Sequence, residues 1–297
     1  MTIAPSTNLF YNRAASSMQS ITAQADRLNQ QITAQSNILA PSDNSVAWTR
    51  LQGLSQADAN DSAYTANVSV AKSVLQQADS ALGQVGDQLQ QISSLVVQAG
   101  NGTLPAEGRT AMASQLSEIL STIMATVNVN DMRGGPLFGG SGGDQAVTQN
   151  ADGSLGFAAG QASSIPIGDG QTVQPSANAS SFLKTGTSDL GQAITAMIAA
   201  LNAGGDVPAD AKATLDQVTQ QVTSAQASVG ARAARVDIVA GQITTATADR
   251  SQARTDVDGF DYTTAIAELQ KTMTTLQATQ ASFTKLSSMS LFDYLRS

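Results

Sequence analysis

Residues 54–99 carry an apolar repeat that strongly restricts what this chain can fold into. Successive members of the repeat are alternately three and four residues apart without a slip, and Asp61 is the one charged member: Leu54, Ala57, Asp61, Tyr64, Val68, Ala71, Leu75, Ala78, Leu82, Val85, Leu89, Ile92, Val96 and Ala99. This spacing is typical of the narrow seam along which one long helix packs on another. At 1.5 Å per residue, the predicted helix is roughly 70 Å long.

A second repeat of nearly equal length follows after an intervening segment. Its members are Leu215, Val218, Val222, Ala225, Val229, Arg232, Val236, Val239, Ile243, Ala246, Arg250 and Ala253. Two helices of matched length on either side of an insertion are predicted to pair antiparallel. Arg232 and Arg250 interrupt this seam, and acids of the first helix such as Asp61 or Asp79 are candidate partners for them.

The two ends of the chain repeat the same rhythm. The N-terminal seam is Tyr11, Ala14, Met18, Ile21, Ala25, Leu28 and Ile32, and the C-terminal seam is Ile266, Leu269, Met273, Leu276, Gln280 and Phe283. Seams at opposite ends can satisfy each other only if the chain doubles back. The predicted fold is therefore mainly α, a long antiparallel helical hairpin or coiled-coil bundle closed by its N- and C-terminal helices. We expect the two inner seams to pack within one chain and the two terminal seams to be buried between subunits.

Helical periodicity disappears between the two long repeats. Glycines crowd residues 134–143, and the short apolar runs that follow lie between Gly, Asp and Asn clusters, which predicts small β-hairpins at the tip of the hairpin. No lysine follows the glycines, so a flexible hinge is favoured over a phosphate-binding loop. The predicted organisation is an N-terminal assembly helix (1–40), the first half of a helical rod (41–130), a Gly-rich variable tip (131–187), the second half of the rod (188–258) and a C-terminal assembly helix (259–297).

Local signals place several helix ends. Pro41 pushes Ala40 out of the helical region and predicts the end of the first helix, with Ser42 or Asp43 capping the next one. Gly100-Asn-Gly102 predicts the end of the long helix, and Pro105 opens a shorter helix from Ala106 to about Val127.

Composition excludes several classes of function. The chain has no cysteine and no histidine, so it lacks disulfides, thiolate metal sites, and the commonest general base and metal ligand. We therefore predict no enzyme, cofactor or metal site, and a metallopeptidase of the H-E-x-x-H type is excluded. A net charge of −8 without a basic stripe argues against nucleic acid and anionic membranes. No apolar run is long enough for a membrane span, and no N-terminal pattern predicts a cleaved signal peptide.

Three stretches and the C-terminus resemble the flagellin and hook-associated protein family. The stretches are Asn37-Ile-Leu-Ala-Pro-Ser-Asp-Asn44, Ala99-Gly-Asn-Gly-Thr-Leu104 with Arg109, and Gly134-Gly-Pro-Leu-Phe-Gly-Gly140. Many members have a second Asp and a Pro where this chain has Asn44 and Ser45. The C-terminal stretches Asp261-Tyr-Thr-Thr-Ala-Ile266, Leu276-Gln-Ala-Thr279 and Ser290-Leu-Phe-Asp-Tyr-Leu295 are similar to those of the members that form the hook–filament junction.

The resemblance implies a structural subunit of the bacterial flagellum that joins hook to filament. Such a subunit would leave the cell by type III export and self-assemble outside it through its terminal helices, including Leu291, Phe292 and Leu295. The implied partners are copies of itself, the neighbouring hook-associated protein and flagellin, and an export chaperone on the C-terminal helix. A flagellin that forms the filament itself is the first alternative. A soluble signalling coiled coil is a more remote alternative, because the helical hairpins of chemoreceptors turn at a helical tip and not at a β-rich one.

Overall fold

The computed structural model describes residues 4–100, 104–140 and 145–295, which fall into two compact units. The terminal unit comprises Met1–Ala59 and Ala246–Ser297, and the middle unit comprises Asn60–Thr245. The helices are α1 (Ala4–Ala34), α2 (Ser45–Ala99), α3 (Ala106–Val127), α4 (Ser180–Leu183), α5 (Leu190–Asn202), α6 (Ala209–Asp258) and α7 (Tyr262–Leu295). Short strands occur between α3 and α5, so the mainly α fold with a β-containing insertion is confirmed. The predicted bounds of α3 and the predicted end of α2 are confirmed as well.

The two long seams form the core of the middle unit. Every seam position of α2 from Val68 to Ala99 is buried, and so are Leu215, Val218, Val222, Val229, Val236 and Val239 of α6. Lys72 Nζ lies 2.8 Å from Asp237 Oδ1, and Gly83 faces the side chain of Gln226. Gly83 comes eleven residues after Lys72 while Gln226 comes eleven before Asp237, so these parts of α2 and α6 run antiparallel. Tyr64 and Ile243, nearer the limits of the unit, are only half-buried, as is Leu54 in the terminal unit.

Helices α3 and α5 pack against each other beside the long helices. The inner face of α3 buries Leu116, Leu120 and Ile123, and α5 buries Ile194 and Met197. The Asp189 carboxylate caps α5 by accepting a hydrogen bond from the backbone N–H of Gln192 at 3.0 Å. Arg109, at the start of α3, donates to the carbonyls of Gly204 and Gly205 at 2.7 and 3.0 Å. Arg109 therefore holds the turn that connects α5 to α6.

The described residues between α3 and α5 form three antiparallel two-stranded sheets. They pair β1 (Val147–Gln149) with β2 (Leu155–Phe157), β3 (Ile165–Gly168) with β4 (Gln171–Val173), and β5 (Lys184–Thr185) with β6 (Ser188–Asp189). Thr148 is opposite Gly156, and Pro166 is opposite Thr172. The rings of Phe138 and Phe182 are fully buried and meet edge to face at 5.2 Å. Two-stranded sheets of this size are stable only when they pack against other apolar side chains such as these.

Side chains of α2 and α6 fix this segment in place. Asn67 donates to the carbonyl of Pro166 at 2.9 Å, and Gln77 donates to that of Asn130 at 2.9 Å. Arg232 donates to the carbonyls of Gln174 and Ser176 at 3.0 and 3.3 Å. The β segment therefore lies against the sides of the two long helices. The expectation that Arg232 pairs with an acid of α2 is wrong, because the neighbouring carbonyls of the β segment accept its hydrogen bonds.

The glycine-rich stretch is more tightly packed than a flexible hinge. A Cβ added to Gly139 would lie 2.4 Å from Pro136 Cγ, and one added to Gly140 would lie 2.1 Å from the Ala159 carbonyl oxygen. At these two positions the hinge prediction is wrong, because glycine is needed for a tight turn against Pro136 and for the close approach of the Ala159 backbone. Gly142 and Gly143 lie outside the described residues.

Candidate assembly surface of the terminal helices

Helices α1 and α7 pack along each other in the terminal unit. Among the side chains of α1 whose burial is described, the predicted ones are buried or half-buried, as is Gln31: Tyr11, Ala14, Met18, Ile21, Ala25, Leu28 and Ile32. The rings of Tyr11 and Phe283 meet edge to face with centroids 5.5 Å apart. Tyr11 lies near the start of α1 and Phe283 lies late in α7, so the two helices run antiparallel. The contact between Tyr11 and Phe283 therefore supports the prediction that the chain doubles back.

The face that α7 turns toward α1 differs in part from the predicted seam. Its least exposed positions are Ala265, Ile266, Leu269, Thr272, Leu276, Thr279 and Phe283, whereas Gln280 is exposed and Met273 is 43% exposed. Thr272 and Thr279 take inner positions beside Leu269 and Leu276, so the face is rotated by about one residue. The predicted three-and-four spacing missed these threonines because it assigned the inner positions to their neighbours Met273 and Gln280. The side chains of Leu291, Phe292 and Leu295 lie outside the side chains that the structure describes.

Burial in this contact is shallow. Of the apolar side chains described in the terminal unit, only Ala25, Ala47 and Ala265 are buried. Large apolar side chains stay open to solvent, with exposed fractions of 80% for Val46 and 54% for Tyr262. In the middle unit, by contrast, side chains as large as those of Leu82, Ile92 and Phe138 are completely buried. The terminal unit therefore keeps apolar surface on which another protein surface can pack.

The reversal between α1 and α2 is organised by Asp43. Its carboxylate accepts hydrogen bonds from the backbone N–H groups of Leu39 and Ala40 at 2.9 and 3.1 Å and forms an ion pair with Arg27. The bond from Leu39 and the charge of Arg27 hold the pKa of Asp43 below its ordinary value. The cap of α2 is Asn44, whose Oδ1 accepts from Ala47 N at 3.0 Å. The expectation that Ser42 or Asp43 caps α2 is wrong, because Asp43 turns back onto the preceding loop.

The joint between α6 and α7 is organised by two further aspartates. Gly259 supplies the positive φ (59°) of the joint, and Asp261 caps α7 by accepting from the N–H groups of Thr263 and Thr264. The hydrogen bond from the backbone of Thr264 is the main reason that the pKa of Asp261 is lowered. Asp258 accepts from Ser36 and Asn37, which belong to the other reversal.

An ion-pair cluster joins the beginning of α2 to the end of α6. Asp58 lies 2.7 Å from Arg250 Nε and 3.0 Å from Arg254 Nη2. The hydrogen bond from Arg250, helped by Arg254, lowers the pKa of the Asp58 carboxyl. Arg250 was expected to meet an acid of α2, and Asp58 is such an acid, although the sequence pattern did not single it out.

The described part of the chain offers surfaces for association. Within it, no group of three or more acidic side chains is arranged to hold a metal ion. None of its helices combines the length and hydropathy needed to cross a membrane. The distinctive feature of the terminal unit is the α1–α7 pair with its partly open apolar seam.

Comparisons with known proteins agree with this architecture. A family model described as the bacterial flagellin N-terminal helical region matches residues 6–142, and one described as the bacterial flagellin C-terminal helical region matches residues 213–295. The chain is 29% identical over 162 residues to flagellar hook-associated protein 3 of Salmonella typhimurium, an alignment that spans about half of each protein (50% and 51%). It is 23% identical over 316 residues to flagellar hook-associated protein 3 of Escherichia coli, with 97% and 98% of the two chains covered.

A solved structure of a flagellar hook-associated protein from Vibrio parahaemolyticus shares the fold. The TM-score is 0.66 at 22% identity, over 73% of this chain and 100% of that chain. The two matched helical regions lie at the two ends of the sequence, where the α1–α7 pair and the long seams are found. Because the two family models together match well over half of the residues, the chain belongs to the bacterial flagellin family.

Proposed function

We propose that the protein is a structural subunit of the bacterial flagellum that joins the hook to the filament. The observation that carries the proposal is the thin, partly open seam of the terminal unit. Ordering a long helix costs conformational entropy at every residue, and the shallow α1–α7 contact returns little apolar burial for it. Packing of the same seam on neighbouring subunits supplies the missing burial.

The names of the relatives and the C-terminal stretch support the junction role. Both curated relatives are named flagellar hook-associated protein 3, and one of them aligns along nearly the whole chain. The stretch Ser290–Leu295 is similar to the close of junction members of the family. Filament flagellin is the alternative, because the matched family models describe flagellin helical regions in general.

The proposed partners follow from this role. Residues 1–40 and 259–297 assemble with copies of the chain, with the neighbouring hook-associated protein and with flagellin. The rod halves (41–130 and 188–258) and the variable segment (131–187) form the body of the subunit. The protein acts outside the cell, after flagellar type III export, and a chaperone holds the C-terminal helix before export. The proposal includes no catalytic step and no cofactor.

Deletion of the gene followed by electron microscopy of cells and culture medium tests the proposal. For a junction subunit, we expect cells with hooks but without filaments, and flagellin shed into the medium. Shortened or thinned filaments still attached to hooks would instead identify one of several filament flagellins. Normal flagella would overturn a flagellar role. Reintroduction of the wild-type gene is the control for effects on neighbouring genes.

A further inference from the structure

Two distant chain reversals of the terminal unit are fastened to each other by three hydrogen bonds. Asp258 Oδ1, at the end of α6, accepts from Ser36 Oγ at 3.0 Å and from Asn37 N at 2.9 Å. In return, Asn37 Nδ2 donates to the main-chain carbonyl of Asp258 at 3.0 Å. All three residues are partly buried. We call this set of contacts, made by Ser36, Asn37 and Asp258, the clasp.

The backbone next to the clasp is held in an uncommon conformation. Gln35 has φ of 51°, and among the described residues it is the only one other than glycine with positive φ. Residues with a side chain rarely adopt this region, so surrounding contacts must hold it there. The N–H of Ser36 bonds to the Gln31 carbonyl at 3.1 Å, and the Gln31 side chain donates to the Asn37 carbonyl at 3.0 Å. The turn that follows α1 is thereby held so that Ser36 and Asn37 contact Asp258.

Each reversal supplies hydrogen-bond partners for polar groups of the other reversal. The Asp258 carbonyl is the last of α6 and is among the carbonyls that lack a partner at a helix C-terminus. Asn37 supplies the missing donor. The N–H of Asn37 follows the end of α1 and finds its acceptor in the Asp258 carboxylate. Each reversal therefore depends on the other for its hydrogen bonds. More than two hundred residues separate the two in the sequence.

We infer that the clasp couples the ordering of α1 to the ordering of α7, so that the two terminal helices become fixed in direction together. α1 ends two residues before Ser36, and α7 begins four residues after Asp258. Opening the clasp frees both reversals, while closing it orients both helices for their mutual contact. The coupling itself does not depend on the proposed function. Its consequence does: in the assembled flagellum, the terminal seam is presented to neighbouring subunits as one surface.

Amide hydrogen exchange of the purified full-length protein tests the coupling without reference to assembly. Asn37→Ala removes a side chain next to α1, and we expect amides of α7 between 262 and 285 to exchange about fivefold faster or more. Asp258→Ala should accelerate the amides of α1 in the same way. The matched controls are Ser42→Ala, an exposed position of the same loop, and Asp256→Ala, an exposed carboxylate two residues before Asp258. Both controls should leave α1 and α7 unchanged.

A double-variant cycle separates direct coupling from general loosening of the unit. If Ser36 and Asp258 act through one contact, Ser36→Ala combined with Asp258→Ala should exchange no faster than Asp258→Ala alone. Additive effects of the two substitutions, or equal exchange of the distant helix in Asn37→Ala and wild type, would overturn the inference. If the proposed junction role is wrong, the deletion strain will have normal flagella. That outcome does not affect the result of the hydrogen-exchange experiment.

Discussion

Two glycines of the middle unit lie on helices but in opposite surroundings. A Cβ on Gly191, in the first turn of α5, would lie 2.5 Å from the Gly153 carbonyl oxygen and 2.8 Å from Leu155 Cγ, whereas Gly230 on α6 has open space around it. We expect Gly191→Ala to lower the free energy of unfolding by about 1–3 kcal/mol because a backbone oxygen cannot move aside cheaply. Gly230→Ala should raise it by about 0.5–1 kcal/mol through helix propensity. Denaturant unfolding followed by circular dichroism measures both, and a loss of stability in Gly230→Ala would contradict the open surroundings.

The Asp58 ion pair makes the stability of the terminal unit sensitive to acid. Arg250 and Arg254 hold the folded-state pKa of Asp58 below its ordinary value of 3.8. The stabilisation is therefore complete above that value and is lost as the pH falls through the folded-state pKa. The stability difference between wild type and Asp58→Asn should be largest near neutral pH and shrink as the pH drops below 3.8.

Thermal unfolding over a pH series checks this prediction. Asp256→Asn is the control, since Asp256 is exposed and accepts from the neutral Gln252 side chain. A difference between wild type and Asp58→Asn that grows with acidification would contradict the assignment of the stabilising group.

At the scale of single elements, Arg232 anchors the β segment to α6. Loss of its hydrogen bonds to the Gln174 and Ser176 carbonyls leaves two acceptors beside a buried serine. We expect Arg232→Ala to speed amide exchange of residues 165–176 by roughly tenfold, since hydrogen bonds from charged donors contribute about 1.5–3 kcal/mol. Arg235→Ala, which removes an exposed arginine one turn further on, should have no such effect. Equal exchange in the two variants would mean that other contacts hold the segment.

The α7 seam is the element on which assembly is proposed to depend. Leu276 is half-buried against α1, whereas the next residue, Gln277, is exposed. Leu276→Asp places a charge in the apolar seam, so we expect the middle unit to stay folded while incorporation into flagella is abolished. Gln277→Asp adds the same charge outside the seam and should incorporate normally. Immunoblots of flagella sheared from the complemented deletion strain give the measurement, and incorporation of Leu276→Asp at the control level would refute the role of the seam.

Helices were predictable from the sequence where one periodic signal governs them. The seam from Leu54 to Ala99 and the glycine after it were enough to predict where α2 ends. The inner face of α7 was harder to predict from the sequence, because Thr272 and Thr279 carry no hydrophobic signal. The pairing of the long helices was predictable, but the polar partners in distant segments were predicted only in kind for Arg250 and were missed for Arg232 and Asn37. The bonds of Arg232 to the β segment and of Asn37 to Asp258 depend on which carbonyls and carboxylates the fold brings near, and no local pattern encodes that.

At the scale of the whole molecule, burial is divided unequally between the two units. The middle unit holds a continuous apolar core drawn from α2, α3, α5, α6 and the β segment. The terminal unit has three small buried side chains among those described, and its remaining apolar contacts are half open. Local opening is governed by how much buried contact must be broken, so the terminal unit should open far more often than the middle unit.

Limited proteolysis of the purified protein tests this inequality. Because cleavage follows the population of open states, we expect α1 and α7 to be removed first. A resistant fragment close to Asn60–Thr245 should remain, identified by intact mass. Leu82→Ala, which opens a cavity in the fully buried core, should shorten the life of that fragment with little effect on the first cuts. First cuts inside α2 or α6 between Val68 and Val239, with α1 and α7 intact, would show instead that the terminal helices are the more stable part. The terminal seam would then need no neighbouring subunit to become ordered.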